Sequence, residues 1–300
     1  MIQFHKRRNK MKKYLITIFI ILITTSCLTG CLKRDKMEGI KIVTTIYPIE
    51  YVTNRLYGDY AEVKSIYPKN SVSTTYKVTD KQLRDYGEFD LFIYNGESKE
   101  KDYATKMLHY NKNLKIIDAT YGLDNTNTSS DIWLNPSNIL MIGQNIKNEL
   151  TDYITDPYLV KDINEKYTTK LKVDITELET ELKKTADNSV SNKIVVADES
   201  LNFLKKYGFD VINLTDNKKE KENNIDLAKS LFANNKLSYI FVMEHTTNNE
   251  IINNLKNTYN IKTLEFRTLD TITEKDEQNN DDYLSIMHNN ISLLQQETYK

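Results

Sequence analysis

The middle of the chain carries the clearest alternation of hydrophobic and polar positions. Within residues 156–188, apolar side chains recur at spacings of four, four, three and four residues, the period of one helix face. They are Tyr167, Leu171, Ile175, Leu178 and Leu182. Lys and Glu fill many of the other positions, as on a solvated face, and Pro157 suits a first helical turn. Roughly thirty residues at about 1.5 Å each form a rod of about 45 Å. We predict a long rigid helix linking two lobes; a long surface helix of one domain and a short coiled coil are the alternatives.

Strand-like and helix-like segments alternate before this helix. Apolar, often β-branched runs predict strands at 40–46, 61–66, 91–94 and 114–117. Helices are predicted at 48–57, 79–86 and 98–109, the last with Ser98 as its N-cap, and a further helix runs to about residue 150 after a polar loop at 123–130. Such alternation is typical of βαβ units and of a parallel sheet covered on both faces.

The same alternation of strand-like and helix-like segments recurs after residue 188. Strands are predicted at 193–197, 210–214, 239–243 and 262–266, and helices at 200–207, 225–235, 248–259 and 283–296. The charge run at 218–222 is interpreted as solvated, and 267–280 as an irregular loop. The fold class is therefore α/β, with two similar lobes, each a mostly parallel sheet flanked by helices, joined by one long rigid helix. The predicted boundaries are a signal peptide at 1–30, a tether at 31–39, lobes at 40–155 and 189–300, and the linking helix at 156–188.

The N-terminus has the pattern of an export signal. A basic run ends at Lys13, and the apolar core at 14–23 is too short for a membrane span of about twenty residues but suits a signal peptide. Translation starts at Met1 or Met11. The following Leu-Thr-Gly-Cys31 resembles the bacterial lipobox, in which the cysteine is acylated and becomes the mature N-terminus. We expect a lipid-anchored, extracytoplasmic protein; an ordinary signal peptide with an incidental cysteine is the alternative.

Composition and charge narrow the range of possible functions. The chain has 300 residues, enough for two domains, and is 39% hydrophobic and 28% charged, as in soluble globular proteins. Six of its 41 basic residues, and none of its 42 acidic ones, precede Cys31. The remainder therefore carries a net charge of about −7, which disfavours nucleic-acid binding.

Several short motifs, in order along the chain, resemble one known family. They are Val-Thr-Thr-Ile-Tyr-Pro-Ile at 43–49, a strand ending in Asn-Gly at 90–96, Ile-Trp-Leu-Asn-Pro at 132–136, Phe-Leu…Tyr-Gly at 203–208, Tyr-Ile-Phe-Val at 239–242, and Tyr283…Met287…Asn290. They resemble the metal-specific substrate-binding proteins of bacterial ABC transporters, which deliver zinc or manganese. The resemblance implies a monomer that captures a divalent metal in the cleft between its lobes and passes it to a membrane permease.

The same resemblance locates the expected metal ligands, which are not histidines in this sequence. The family's first histidine falls at Thr74 and the second at Asp131, two residues before Trp133. The third falls at Ala197 or just beyond it, at Asp198 and Glu199, and the fourth ligand, an aspartate of the last loop, falls near Arg267. None of the four histidines, at positions 5, 109, 245 and 288, occupies a ligand position, and the loop at 123–130 has none.

The chemistry of these positions is oxygen-rich. Asp131, Asp198 and Glu199, with the Thr74 hydroxyl, suit Mn²⁺, Mg²⁺ or Ca²⁺ more than Zn²⁺, which prefers imidazole and thiolate. Glu244 and His245 follow a predicted strand and are possible further cleft residues. Structural roles compete with these assignments. The Asp198–Glu199 pair also suits a helix N-cap and a first-turn acid, Asp131 suits a turn, and His245 suits a plain surface position.

Arg267 weighs against a metal. A guanidinium at the site would repel a cation, or would bind an anionic ligand instead. The competing hypothesis is a paralogue that has lost the metal site and acts as a surface interaction protein or adhesin, or binds another small ligand. The sequence has no phosphate-binding glycine motif, no His-Glu-x-x-His and no Cys-x-x-Cys, so we do not expect an enzyme.

Overall fold

The structure is a computed structural model that describes residues 34–123, 131–215, 218–246 and 249–300. The predicted signal peptide, Cys31 and most of the polar loop at 123–130 lie outside the described residues. Both sheets and the hydrophobic clusters around them lie from residue 34 onward. No helix of the described ranges is long and apolar enough to cross a membrane.

The first lobe is a four-stranded parallel sheet with helices between its strands. The strands are β1 (Ile40–Thr44), β2 (Ala61–Ser65), β3 (Leu91–Tyr94) and β4 (Lys115–Asp118), in the order β2-β1-β3-β4. The helices are α1 (Tyr47–Tyr57), α2 (Asp80–Gly87), α3 (Glu100–Tyr110) and, after a short 3₁₀ turn (Ile132–Leu134), α4 (Pro136–Tyr153). Ile42 pairs with Val63 on one side and Leu91 on the other, which sets the register of the sheet.

The second lobe repeats this topology. Its strands are β5 (Lys193–Val196), β6 (Asp210–Asn213), β7 (Tyr239–Met243) and β8 (Lys262–Phe266), all parallel, in the order β6-β5-β7-β8. A 3₁₀ helix (Glu199–Tyr207) follows β5, and the remaining helices are α7 (Lys218–Ala233), α8 (Glu250–Tyr259), α9 (Glu274–Asn279) and α10 (Tyr283–Thr298). The predicted fold class is confirmed.

The linking segment is helical from α5 (Pro157–Lys166) to α6 (Lys172–Asp187), with a π-helical turn (Tyr167–Leu171) between them. All five apolar positions that predicted its helical face are buried. Gly143 of α4 faces the π turn, and a Cβ atom there would lie 2.7 Å from Cδ2 of Leu171. A residue with a Cβ atom at this position would have to displace the buried Leu171 side chain.

A single hydrophobic cluster continues through both lobes and the linking helices. Ile42 and Phe92 of the first sheet, Leu178 of α6, and Phe241 of the second sheet belong to it. A second cluster covers the other face of the second sheet. The linking helices are therefore packed into a shared core and do not cross open solvent between the lobes.

Three local predictions were wrong. Residues 274–279 form α9 instead of loop, because Thr273 and Asp276 form a reciprocal capping box. The charge run at 218–222 does not precede the helix but forms the start of α7. Helix α3 begins at Glu100 and not at 98, with Lys99 at the cap position; the Ser98 hydroxyl still accepts the N–H of Glu100 at 3.2 Å.

Candidate functional site

The strand order places a ligand crevice at a defined point in each lobe. In both sheets the chain order reverses next to the first strand, between β1 and β3 and between β5 and β7. In open α/β sheets, ligands bind outside the carboxyl ends of the strands at such a reversal. Asp198 comes two residues after β5 and Glu244 directly after β7, so both lie at this point of the second lobe.

Two of the predicted ligand carboxylates accept hydrogen bonds from one serine, Ser200. The hydroxyl of Ser200 donates to Oδ2 of Asp131 at 3.0 Å, across the boundary between the lobes. The N–H of Ser200 donates to Oδ1 of Asp198 at 2.8 Å, so Asp198 is the N-cap of the 3₁₀ helix and Glu199 lies in its first turn. The structural role foreseen for Asp198 is thus present.

Asp270 is a buried aspartate that the sequence analysis did not single out. Its side chain is 5% exposed. Oδ2 accepts the N–H of Ser73 at 2.7 Å, and Oδ1 accepts the Thr268 hydroxyl at 3.0 Å and the Thr271 N–H at 2.9 Å. The resemblance called for an aspartate in this loop but aligned the position near Arg267. The aspartate three residues further on was the signal that could have found it.

Thr74 is exposed, and its loop is held by a lysine. Nζ of Lys99 donates to the carbonyl oxygens of Ser73 at 2.7 Å, Thr74 at 3.2 Å and Tyr76 at 3.1 Å. Together with the bond from Ser73 to Asp270, this connects the Thr74 loop of the first lobe to the last loop of the second.

Arg267 is paired with two carboxylates. Its two terminal nitrogens donate to Asp276 at 3.0 and 2.8 Å, and Nε lies 2.7 Å from Oε2 of Glu244. The hydrogen bonds that Arg267 donates to Asp276 outweigh partial burial and, with the charge of Glu244, raise the pKa of Arg267 above its usual value. The other Glu244 oxygen accepts the N–H and the hydroxyl of Thr268 at 2.6 and 2.8 Å. Glu244 is thus committed to neutralising Arg267 and anchoring Thr268, while His245 is exposed.

Buried hydrogen bonds join the two lobes beside these residues. The indole N–H of Trp133 donates to the Thr268 carbonyl at 2.7 Å, and the Tyr283 hydroxyl donates to the Trp133 carbonyl at 2.8 Å. Trp133 comes two residues after Asp131, and Thr268 comes two residues before Asp270. The candidate positions of both lobes are therefore brought into one region.

The side chains in this region do not form a ready-made metal cluster. Within the described ranges, no group of three or more His, Cys, Asp or Glu residues could hold a metal ion. Asp131, Asp198 and Asp270 instead accept hydrogen bonds from the protein itself. Capture of a cation here requires these carboxylates to exchange protein donors for the ion.

Two parallel α/β lobes, linked by a long helical segment and joined by hydrogen bonds between their loops, are typical of two-lobed solute-binding proteins. Residues 42–297 match the family described as zinc-uptake complex component A, periplasmic, and the chain belongs to that family.

The chain is similar to two lipoproteins of Streptococcus pneumoniae. It is 23% identical to the zinc-binding lipoprotein AdcA of Streptococcus pneumoniae over 96% of this chain, but spans only 61% of that relative's length. It is 25% identical to the manganese ABC transporter substrate-binding lipoprotein PsaA of Streptococcus pneumoniae, over 95% of this chain and 98% of PsaA. The crystal structure of the Zn(II)-bound ZnuA-like domain of AdcA superposes with a TM-score of 0.70 at 20% identity, covering 87% of this chain and all of that domain.

Proposed function

We propose that this protein is an extracytoplasmic solute-binding protein that captures a divalent metal ion, zinc or manganese, between its lobes. It would deliver the ion to the permease of an ABC transporter and is not an enzyme. The observation that carries the proposal is the family match over residues 42–297, joined to a fold in which Ser200 of the second lobe contacts Asp131 of the first. Acylation of Cys31 would anchor it to the membrane as a monomer.

The proposed ligands are oxygen atoms of Asp131 and Asp198, with Glu199, the Thr74 hydroxyl and Asp270 within the same region. Asp270 takes the place in the last loop for which the sequence analysis had offered only Arg267. Carboxylate and hydroxyl oxygens favour Mn²⁺ over Zn²⁺. The Arg267 charge does not stand against this proposal as strongly as the sequence implied, because Glu244 and Asp276 balance it.

Calorimetry on the metal-stripped chain from Leu32 onward, titrated with Zn²⁺ and Mn²⁺, tests the proposal. We expect one ion to bind at one-to-one stoichiometry. Asp198→Asn removes the anionic ligand but keeps an N-cap residue of equal quality, so a loss of affinity of about tenfold or more would report on the metal and not on helix stability. Asp131→Asn should behave alike. Asp210→Asn, an exposed acid at the opposite end of the second sheet, should bind as the wild type does.

A second candidate function is favoured by one observation. The lack of a three-residue metal cluster in the described ranges, with a guanidinium in the last loop, fits a paralogue that has lost the metal site. Such a protein would act as a surface interaction protein or adhesin, or would bind another small ligand. If neither ion binds in the titration, metal capture is refuted and this candidate remains.

A further inference from the structure

A cavity of about 580 Å³ lies where the first lobe meets the C-terminal segment. It is bounded by α1, by β2 and the residues after it, and by the segment from the last loop into α9. Tyr47, Glu50, Tyr51, Tyr67, Lys69 and Glu277 are among its lining residues. Neither Thr74 nor Asp131 nor Asp198 lines it, so it is separate from the proposed metal site. Its size falls in the range of small-molecule sites, about 300 to 1,000 Å³.

Among the charged side chains that line this cavity, one carboxylate has no partner within the described ranges. Nζ of Lys69 lies 2.6 Å from Oε2 of Glu277, and Nζ of Lys64 lies 2.5 Å from Oε1 of Glu62. Both lysines that line the cavity therefore have a carboxylate partner. The Glu50 side chain is partly buried, yet it forms no hydrogen bond or ion pair with any residue of the described ranges. The cavity thus presents one unpaired acidic group.

The surroundings of Glu50 favour binding of a positively charged group next to its carboxylate. Burial is the main effect and raises the pKa of Glu50 to about 7. It outweighs the nearby charge of Lys69, which lowers this pKa, and Glu277 adds a smaller raising contribution. The ionisable groups that share the cavity are Lys64, Lys69, Glu277 and the tyrosines. An unpaired carboxylate in such a place loses hydration that a bound cation can replace. A single carboxylate is too few ligands for a metal ion, which points to an organic cation.

The walls suit the apolar part of such a ligand. Tyr47, Tyr51 and Tyr67 line the cavity, and the rings of Tyr47 and Tyr51 lie 6.3 Å apart at 51°. Aromatic rings attract organic cations through their negative faces and also provide apolar contact area. Ile272 adds an aliphatic surface from the C-terminal segment.

We infer that this cavity binds a small protonated amine with an apolar body, with the Glu50 carboxylate as its counter-ion and the tyrosines as its wall. The site needs no metal and is independent of the proposed metal capture. Because its lining comes from both the first lobe and the C-terminal segment, an occupant would contact both at once.

The test uses two probes of one shape on the chain from Leu32 onward. Phenethylamine carries the positive charge, and 2-phenylethanol has the same ring and chain length without it. Calorimetry or ligand-observed NMR at pH 8 should detect binding of the amine only. Since the pKa of Glu50 is about 7, the ionised fraction falls about tenfold between pH 8 and pH 6, and the affinity for the amine should fall by the same factor.

Glu50→Gln, which preserves shape and removes the charge, should weaken amine binding at pH 8 at least about tenfold and abolish the pH dependence. Glu149→Gln, an exposed acid on α4 outside the cavity, should bind as the wild type does. No amine binding at millimolar concentration, equal binding of the alcohol, or an unaffected Glu50→Gln would each overturn the inference. Zn²⁺ and Mn²⁺ titrations of Glu50→Gln should match the wild type, and a change there would contradict a separate site.

Discussion

The guanidinium of Arg267 pairs with two carboxylates. Replacing it with an apolar side chain of similar length measures how much these pairs contribute to the stability of the fold. In Arg267→Met, Asp276 loses two hydrogen bonds of 3.0 and 2.8 Å, and Glu244 loses its ion pair at 2.7 Å. Asp276 is 5% exposed, so its carboxylate would be left with little solvent to replace the lost partner.

The magnitude follows from the pKa of Asp276. Burial would raise this pKa, but hydrogen bonds from Arg267 and Thr273 outweigh burial and hold it at about 2, against an ordinary value of 3.8. Each tenfold change in proton affinity corresponds to about 1.4 kcal/mol, so this carboxylate stabilises the fold by about 2 kcal/mol at neutral pH. The folded-state pKa is lowered; the stabilisation is therefore complete above the ordinary pKa and is lost as the pH falls from about 4 to about 2.

Urea unfolding followed by fluorescence of the single tryptophan, Trp133, measures the effect. We expect Arg267→Met to lower the free energy of unfolding by about 2 to 3 kcal/mol at pH 7. The loss should be clearly smaller near pH 2, where Asp276 is already about half protonated in the wild type. Lys193→Met, which removes an exposed ion pair with Asp210, should change it by less than about 0.5 kcal/mol. A loss below about 0.5 kcal/mol for Arg267→Met, or an equal loss at both pH values, would refute the reasoning.

Three further perturbations test other contacts. Trp133→Phe removes the donor to the Thr268 carbonyl and should lower the free energy of unfolding, followed by circular dichroism, by about 1 to 3 kcal/mol; an unchanged value would contradict the importance of this bond between the lobes. Gly143→Val places atoms against Leu171, and urea unfolding should show a loss of about 1 to 3 kcal/mol; an equally stable variant would mean that the helices can separate at no cost. Asp35 has a pKa of about 2, because hydrogen bonds from three backbone N–H groups and one hydroxyl outweigh burial. Wild-type stability should therefore fall between about pH 4 and pH 2 more steeply than that of Asp35→Asn, and identical pH profiles would contradict this account.

The repeating elements could be predicted because their signals are local. The apolar period from Tyr167 to Leu182 marked a helix face that is buried in the structure. The capping box of α9 was also present in the sequence, since Thr273 and Asp276 have the required spacing, but the polar composition around it suggested a loop.

The features that could not be predicted depend on contacts between distant residues. The π turn lies where Gly143 allows α4 to approach Leu171. Asp270 receives a hydrogen bond from Ser73, which is 197 residues away in the chain. Arg267 was interpreted as a free positive charge, because a sequence does not reveal that Glu244 and Asp276 lie on both sides of it. Charge balance at the candidate site is thus a property of the tertiary structure.

The central claim is that a divalent metal binds between the lobes at the carboxylates around Ser200. Anomalous scattering from crystals grown with Mn²⁺ or Zn²⁺ tests it most directly, because it identifies the element and its position together. We predict one strong peak between the lobes, with oxygen atoms of Asp131 and Asp198 in its coordination sphere. Full metal exposure with no peak in that region, or a peak bound only by other surface residues, would contradict the proposed site.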